Sequence, residues 1–248
     1  MENISYFCNM KNRTIAAILA GGTGSRMGGE CPKQFLPMAG RKVIEWTVDA
    51  FERNANVDEI IIVVLEDYIS AVHTLVESNH WKKVSNVVKG GKERYLSTLA
   101  ALSACETCAP TDKILIHDAA RPLITQQIID AVVESLDNCS AVAVGVPSID
   151  TIWQVASTGG NTVLAQIPNR NQMRCAQTPQ AFHMGILRSA YRQALQEKDI
   201  IPTDDCGMVM HYCPQTEIHV VDGDSRNFKI TYPEDIKKAE LLFSTGEK

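Results

Sequence analysis

The 248-residue chain is long enough to bury one large α/β core, and its composition, 45% apolar and 21% charged, is that of an ordinary globular protein. A formal net charge of −5 argues against a nucleic-acid partner, which calls for a basic face, yet leaves room for local cations at a small phosphate ligand. No apolar run approaches a membrane span and the opening MENISYFCNM lacks a signal-peptide pattern, so no membrane partner and a cytoplasmic location are expected. Residues 1–12 read as a flexible tail. Of the eight cysteines, Cys105 and Cys108 have CxxC spacing, but no second pair completes a zinc site, and reduced thiols are the expectation.

In chain order, Thr14–Leu19 is a short apolar strand that ends in glycines, and Val43–Arg53 reads as a helix. Glu59–Leu65 is a β-rich strand, Asp67–Ser78 a helix, Val84–Val88 a short strand and Ser97–Cys105 a helix of small residues. Lys113–His117 is a further strand, followed by a helix over Thr125–Leu136 with Thr125 as its N-cap, then the strand Ala141–Val146. This alternation predicts an α/β fold, a Rossmann-like, mostly parallel sheet with helices on both faces. Ligands of such sheets sit at the carboxyl ends of the strands.

Between Pro147 and Ala176 the alternation stops. Ile149–Val155 and Thr162–Ile167, around Ser157–Asn161, predict two strands of a projecting β-arm at about 147–176, inserted in one domain spanning 13–248. Beyond it come a helix over Gly185–Glu197, short strands at Ile218–Val221 and Phe228–Ile230, and a closing helix at Pro233–Phe243.

The first strand runs into LAGGTGSRMGGECPKQF, Leu19–Phe35. Backbone N–H groups of Gly21, Gly22 and Gly24 suit a phosphate cradle. A dinucleotide fingerprint begun at Gly22 needs glycine where Met27 stands, and a Walker A begun at Gly24 needs lysine where Glu30 stands, so both familiar motifs fail. Arg26 and Lys33 add two cations beside the glycines, an arrangement suited to a triphosphate whose charge rises during attack.

LAGGTGSRMG followed by PKQF resembles the CTP-dependent cytidylyltransferases that act on methylerythritol phosphate and ribitol phosphate in isoprenoid and teichoic-acid synthesis. The resemblance continues, in the family's order, through GGKERYLSTLAAL (Gly90–Leu102), IHDAARP (Ile116–Pro122), IDTI (Ile149–Ile152), IPNR (Ile167–Arg170), QTPQAF (Gln177–Phe182), TDD (Thr203–Asp205) and NFKIT (Asn227–Thr231), covering about residues 14–240. It implies attack by an acceptor phosphate oxygen on the α-phosphorus of CTP, a reaction that needs charge neutralisation and in-line geometry.

By that resemblance Arg26 and Lys33 grip the triphosphate and Lys229 reaches the α-phosphate. Leu19, Ala20, Gly91, Lys92, Arg94 and Ser97 surround the cytosine and ribose. Asp118 lies at the substrate phosphates and at a Mg²⁺ that bridges the CTP phosphates with few protein ligands, while Arg121 holds the acceptor. Thr178 completes the acceptor pocket. His117 reads as structural, its side chain turned to the opposite face of the strand from Asp118. Thr151 and Arg170 lie on the arm, which in the family clasps a second subunit, so a homodimer with arm-exchanged active sites is implied. LAGG and IPNR resemble the ribitol-type enzymes, a resemblance that implies D-ribitol 5-phosphate as acceptor and CDP-ribitol as product. The alternatives are 2-C-methyl-D-erythritol 4-phosphate and another phosphorylated acceptor of capsule synthesis; Trp153, directly after IDTI, stands where a basic residue is common in the methylerythritol enzymes.

Overall fold

The computed structural model describes residues 12–22, 31–91, 93–197 and 203–244. Strands β1 (Thr14–Ala20), β4 (Glu59–Val64), β5 (Val84–Lys89), β6 (Lys113–Asp118), β7 (Ala141–Pro147), β10 (Arg174–His183) and β11 (His219–Asp222) form a seven-stranded sheet in the order β11-β7-β10-β6-β1-β4-β5. Every neighbouring pair is parallel except the two made by β10, which runs antiparallel between β6 and β7. A small hairpin, β2 (Pro37–Met38) with β3 (Arg41–Lys42), stands apart from this sheet.

The near-continuous apolar runs of the central strands follow from burial on both faces. Along β1, Ala16, Ile18 and Ala20 join one core, whereas Ile15, Ala17 and Leu19 join the other. The first core is covered by α1 (Val43–Glu52), α2 (Ile69–Ser78) and α4 (Gln126–Ser135) through residues such as Phe51, Leu75 and Ile129. The second is covered by α3 (Arg94–Ala104), α5 (Met184–Ala194) and α6 (Asp205–Tyr212), through Leu102, Leu187 and Val209. A closing helix, α7 (Pro233–Ser244), packs Ala239 with Met38, Val43 and Ile230 in a third, smaller cluster. Thr125 caps α4 as expected, its hydroxyl accepting from the Ile128 N–H at 3.3 Å.

The structure corrects two expectations and adds two elements. Phe228–Ile230 is not a strand: the segment crosses beyond the end of β6, where the Ile230 N–H reaches the Ala120 carbonyl at 2.8 Å. The arm is a shorter hairpin than predicted, β8 (Gln154–Thr158) and β9 (Asn161–Gln166), and Ile149–Trp153 is irregular. Its turn narrows to Gly159 and Gly160, with φ of +57° and +83°, the left-handed pair that matches the twist of a two-residue hairpin loop. Finally, β10 and α6 had no counterpart in the predicted elements. Among the described residues the arm hairpin pairs only with itself, and Ile149 and Trp153 at its base are 84% and 64% exposed.

Candidate active site

Parallel pairing brings Leu19 level with Asp118, and the Ala119 N–H closes on the Leu19 carbonyl at 3.0 Å. A cleft of about 210 Å³ opens at these carboxyl ends. Its wall takes Leu19, Ala20, Gly21 and Gly22 from the end of β1, Lys33 from the following 3-10 turn, and Gly91, Arg94 and Ser97 from the start of α3. Asp118 and Lys229 also line it. Three residues expected here, Gly24, Arg26 and Lys92, lie outside the described residues.

The local backbone explains the residue types. Gln34 donates its side-chain amide to the carbonyls of Ala20 at 2.6 Å and Gly22 at 3.0 Å, pinning the start of the glycine loop. At Gly91 a Cβ would collide with the Leu96 side chain, so the turn into α3 closes only without one.

Asp118 is the electrostatic centre of the cleft. Its carboxylate lies 2.9 Å from the Lys229 ammonium, 3.4 Å from Nε of Arg121 and 3.9 Å from Nε of Arg94. Burial alone pushes its pKa up; Lys229, then Arg94 and Arg121, outweigh that and hold it well below the usual carboxylate range. Burial likewise opposes the charge of Arg94, but Asp205 and Asp118 more than compensate, and its pKa is raised. Three cations thus converge on one ionised carboxylate, leaving a cationic surplus suited to a polyphosphate.

The remaining predicted residues lie elsewhere. Arg121 is buried behind Asp118, its other nitrogens donating to the carbonyls of Asn227 at 2.8 Å and Ala176 at 3.4 Å. Thr178 does not line the cleft. Its buried hydroxyl accepts from the Asp118 N–H at 3.1 Å and meets Nδ1 of His117 at 3.0 Å. That pairing leaves the His117 proton on Nε2, facing the Arg121 carbonyl at 3.3 Å. His117 is fully buried, which drives its pKa down to about 3, so the ring is neutral and supports the end of β6 from behind. Thr151 and Arg170 are exposed on the arm, away from the cleft of their own chain, and the Arg170 guanidinium donates to the Ile149 carbonyl at 3.2 Å.

Several lining or supporting groups had not been singled out as site residues. Glu93 and Thr231 line the cleft. Gln177 donates to the Asp224 carbonyl and accepts from the Asn227 amide, tying β10 to the segment that carries Lys229. The motifs PKQF, QTPQ and TDD mark these neighbourhoods in the sequence, although spacing gives no indication of which member bonds what.

Comparison with known proteins places this architecture. Residues 14–245 match the family model of IspD, 2-C-methyl-D-erythritol 4-phosphate cytidylyltransferase. The chain belongs to the IspD family. It is accordingly a cytidylyltransferase, an enzyme of the nucleotidyltransferase class. Among IspD relatives, the 2-C-methyl-D-erythritol 4-phosphate cytidylyltransferase of Thermobifida fusca is 42% identical over 235 residues, 94% of each chain. The bifunctional ribulose 5-phosphate reductase/CDP-ribitol pyrophosphorylase Bcs1 of Haemophilus influenzae is 38% identical over 95% of this chain and 49% of its own length. Of solved IspD structures, 4-diphosphocytidyl-2C-methyl-D-erythritol synthase from Anaerococcus prevotii superposes with a TM-score of 0.81 at 26% identity, covering 94% of this chain and 96% of that one.

The donor set of this IspD site constrains metal chemistry. Among the described residues no group of three or more His, Cys, Asp or Glu is placed to hold an ion. Among the described residues the carboxylates on the cleft wall are Glu93 and Asp118, and Asp118 already faces three cations. Such a wall fits a cation that arrives on the nucleotide's phosphates better than one held by protein alone. The seven described cysteines are all free thiols, and no described helix is long and apolar enough to cross a membrane.

Proposed function

We propose that this enzyme transfers CMP from CTP to 2-C-methyl-D-erythritol 4-phosphate, with release of pyrophosphate. The convergence of Lys229, Arg94 and Arg121 on Asp118 at the end of β6 is the observation that carries the chemistry. The family model's name and the T. fusca relative, matched over 94% of both chains, favour this acceptor over the ribitol 5-phosphate read from LAGG and IPNR. Ribitol 5-phosphate is the second reading, supported by the H. influenzae relative whose name includes CDP-ribitol pyrophosphorylase.

In this mechanism the glycine backbone and Lys33, with Arg26 from the loop, receive the triphosphate. Gly91, Lys92, Arg94 and Ser97 receive the cytidine. The acceptor's phosphate oxygen attacks the α-phosphorus, the α–β bridging bond breaks and pyrophosphate leaves. Negative charge on the α-phosphoryl oxygens grows in the transition state, and Lys229, held beside the cleft by Asp118, is the cation placed to meet it. Mg²⁺ would be held by the nucleotide phosphates, with Asp118 as a carboxylate of the cleft wall beside them, and would supply charge neutralisation.

The acceptor half of the site is proposed to need a second copy of the chain. Val155 and Leu164 pair across the hairpin and are both exposed, and among the described residues no other strand pairs with β8 or β9. A homodimer in which this arm reaches the partner's cleft would cover these side chains and bring Thr151 and Arg170 to the acceptor phosphate.

The deciding experiment is pyrophosphate release with CTP and Mg²⁺, comparing 2-C-methyl-D-erythritol 4-phosphate with ribitol 5-phosphate at equal concentration. The expected result is a kcat/KM preference for the first. Preference for ribitol 5-phosphate replaces it with the second reading.

A further inference from the structure

The TDD motif takes no part in the mechanism above, yet its last residue is the most deeply buried carboxylate near the cleft. Asp205 is 0% exposed, and its two oxygens are both used. Oδ2 accepts from Nη1 of Arg94 at 2.6 Å and Oδ1 from the Tyr191 hydroxyl at 2.6 Å. Its backbone is fixed as well. Gln180, level with Ile116 of β6, accepts from the Asp205 N–H at 3.0 Å through Oε1 and donates to the Asp204 carboxylate at 2.7 Å through Nε2. Asp204 in turn caps α6, accepting from the Gly207 N–H at 2.8 Å. The strand beside the catalytic edge therefore dictates where α6 begins, and α6 dictates where one end of Arg94 is held.

The other end of that guanidinium is the informative one. Nη2 of Arg94 is buried and has no hydrogen-bond partner among the described residues, although Arg94 lines the cleft. A buried, charged donor left without an acceptor is costly unless a ligand supplies one. Charge placement leads to the same conclusion. Without Asp205, the guanidinium of Arg94 would turn to the nearest remaining carboxylate, Asp118, whose Oδ2 is the partner of Lys229. A planar fork competes well for both oxygens of a carboxylate.

We propose that Asp205 is a positioning residue of the nucleotidyl site, resting on the CTP reading above. It takes one edge of Arg94, leaves Nη2 to donate to an oxygen of bound CTP, and keeps Arg94 from displacing Lys229 at Asp118. Gln180 and Tyr191 hold Asp205 in that role.

The test compares full-length wild type, Asp205→Asn, Tyr191→Phe, Arg94→Met and the double variant Asp205→Asn/Arg94→Met. Calorimetric CTP Kd, steady-state KM and kcat, and Tm are measured for each. Losing a charged hydrogen bond predicts that Asp205→Asn weakens CTP binding about 10- to 100-fold, with KM for CTP rising in parallel. Tyr191→Phe removes one neutral donor and should weaken CTP binding roughly 2- to 10-fold while keeping the ion pair, so it carries the test if Asp205→Asn fails to fold. In the Arg94→Met background, Asp205→Asn should cause no further loss of CTP affinity. A lowered Tm with unchanged CTP Kd in the foldable variants, or additive losses in the double variant, overturns the proposal. Wild type that binds CTP but turns over neither polyol phosphate would sink the acceptor reading alone, because the Kd comparison still reads the positioning role.

Discussion

The wall of the cleft and the β-arm are built on opposite terms. In the cleft, Asp118 engages three cations, Thr178 and His117 back it from the sheet interior, and Gln34 and Gln177 fasten the flanking loops. In the arm, Ile149, Trp153, Val155 and Leu164 are all exposed, and Arg170 donates to the backbone carbonyl of Ile149 within the arm's base. The cleft is preorganised by partners far apart in sequence but within one chain. The arm carries its predicted acceptor groups, Thr151 and Arg170, on the segments that flank an exposed hairpin. If the arm supplies the acceptor groups as proposed, the difference teaches that the nucleotide half and the acceptor half have separate structural support, so mutations should be able to separate them.

The largest effect is expected from Lys229→Ala. Lys229 is the most exposed of the three cations on Asp118, its side chain 37% accessible, and Arg94 and Arg121 remain to balance the carboxylate once it is gone. Turnover should fall about 10²- to 10³-fold, the usual loss for one preorganised transition-state donor, with little change in Tm. An unchanged kcat in a pyrophosphate-release assay would remove Lys229 from the chemistry and dissolve the contrast at its stronger end.

Arg170→Ala tests the arm from the other side. Because Arg170 stands outside the cleft of its own chain, CTP Kd should be unchanged while KM for the acceptor rises about 10- to 100-fold, as expected for a lost charged hydrogen bond. Equal loss of CTP and acceptor affinity would contradict the separation. Replacing Val155 and Leu164 with Ser adds a physical readout: analytical ultracentrifugation should show a shift from dimer toward monomer, with acceptor turnover lost in step. A variant that sediments as the wild type does would show that the arm's apolar pair does not hold the proposed dimer.

A pH titration probes the support behind the cleft. His117 has a folded pKa of about 3, below its ordinary value near 6.5, because burial disfavours the charged ring. The unfolded chain therefore takes up a proton that the folded chain refuses. Stability is intact above about pH 6.5 and falls, by about 1.4 kcal/mol per pH unit at most, as the pH drops toward 3. Asp118 also has a lowered folded pKa, but its contribution starts to be lost only as the pH falls through the ordinary aspartate value of about 3.9, so the two windows meet only at the acid edge of the first. His117→Asn should flatten the dependence of Tm on pH between 6.5 and 4 and leave the acid limb below 4. A slope that survives the substitution would assign the effect to another group.

The fold was legible where hydrophobic period and length agree. The runs TIAAIL, EIIIVV and KILIH are strands buried on both faces, and Thr125 gave away the start of α4. β10 was not, because RCAQTPQAFH mixes polar residues with a proline and alternates poorly; its polar side chains are satisfied by tertiary partners such as Asp204 and Asp224 rather than by solvent. NFKIT has the opposite problem: its residues look β-like, but Asn227 and Ile230 are buried by contacts to β10 and the loop after β6, which local pattern does not encode. In the site, the charged residues that line the cleft, such as Lys33, Asp118 and Lys229, were readable from their motifs. The glutamines and Asp205 that aim them were not, since their roles exist only after β10 and α6 have been placed.

The smallest effect belongs outside both regions. The Thr125 hydroxyl satisfies the Ile128 N–H at the start of α4, whose apolar residues Ile128, Ile129, Val132 and Val133 pack under the sheet on the face opposite α3. Thr125→Ala leaves that N–H without its cap and should cost about 1 kcal/mol, read as a fall in Tm of a few degrees. Because α4 contributes no residue to the cleft, CTP Kd, acceptor KM and kcat should stay at wild-type values at a temperature well below Tm. This control decides how the others are read: if a lost cap in α4 also weakened CTP binding, then stability and ligand affinity would be coupled throughout the sheet, and the separate losses expected at Lys229 and Arg170 would no longer report two independently supported halves of the site.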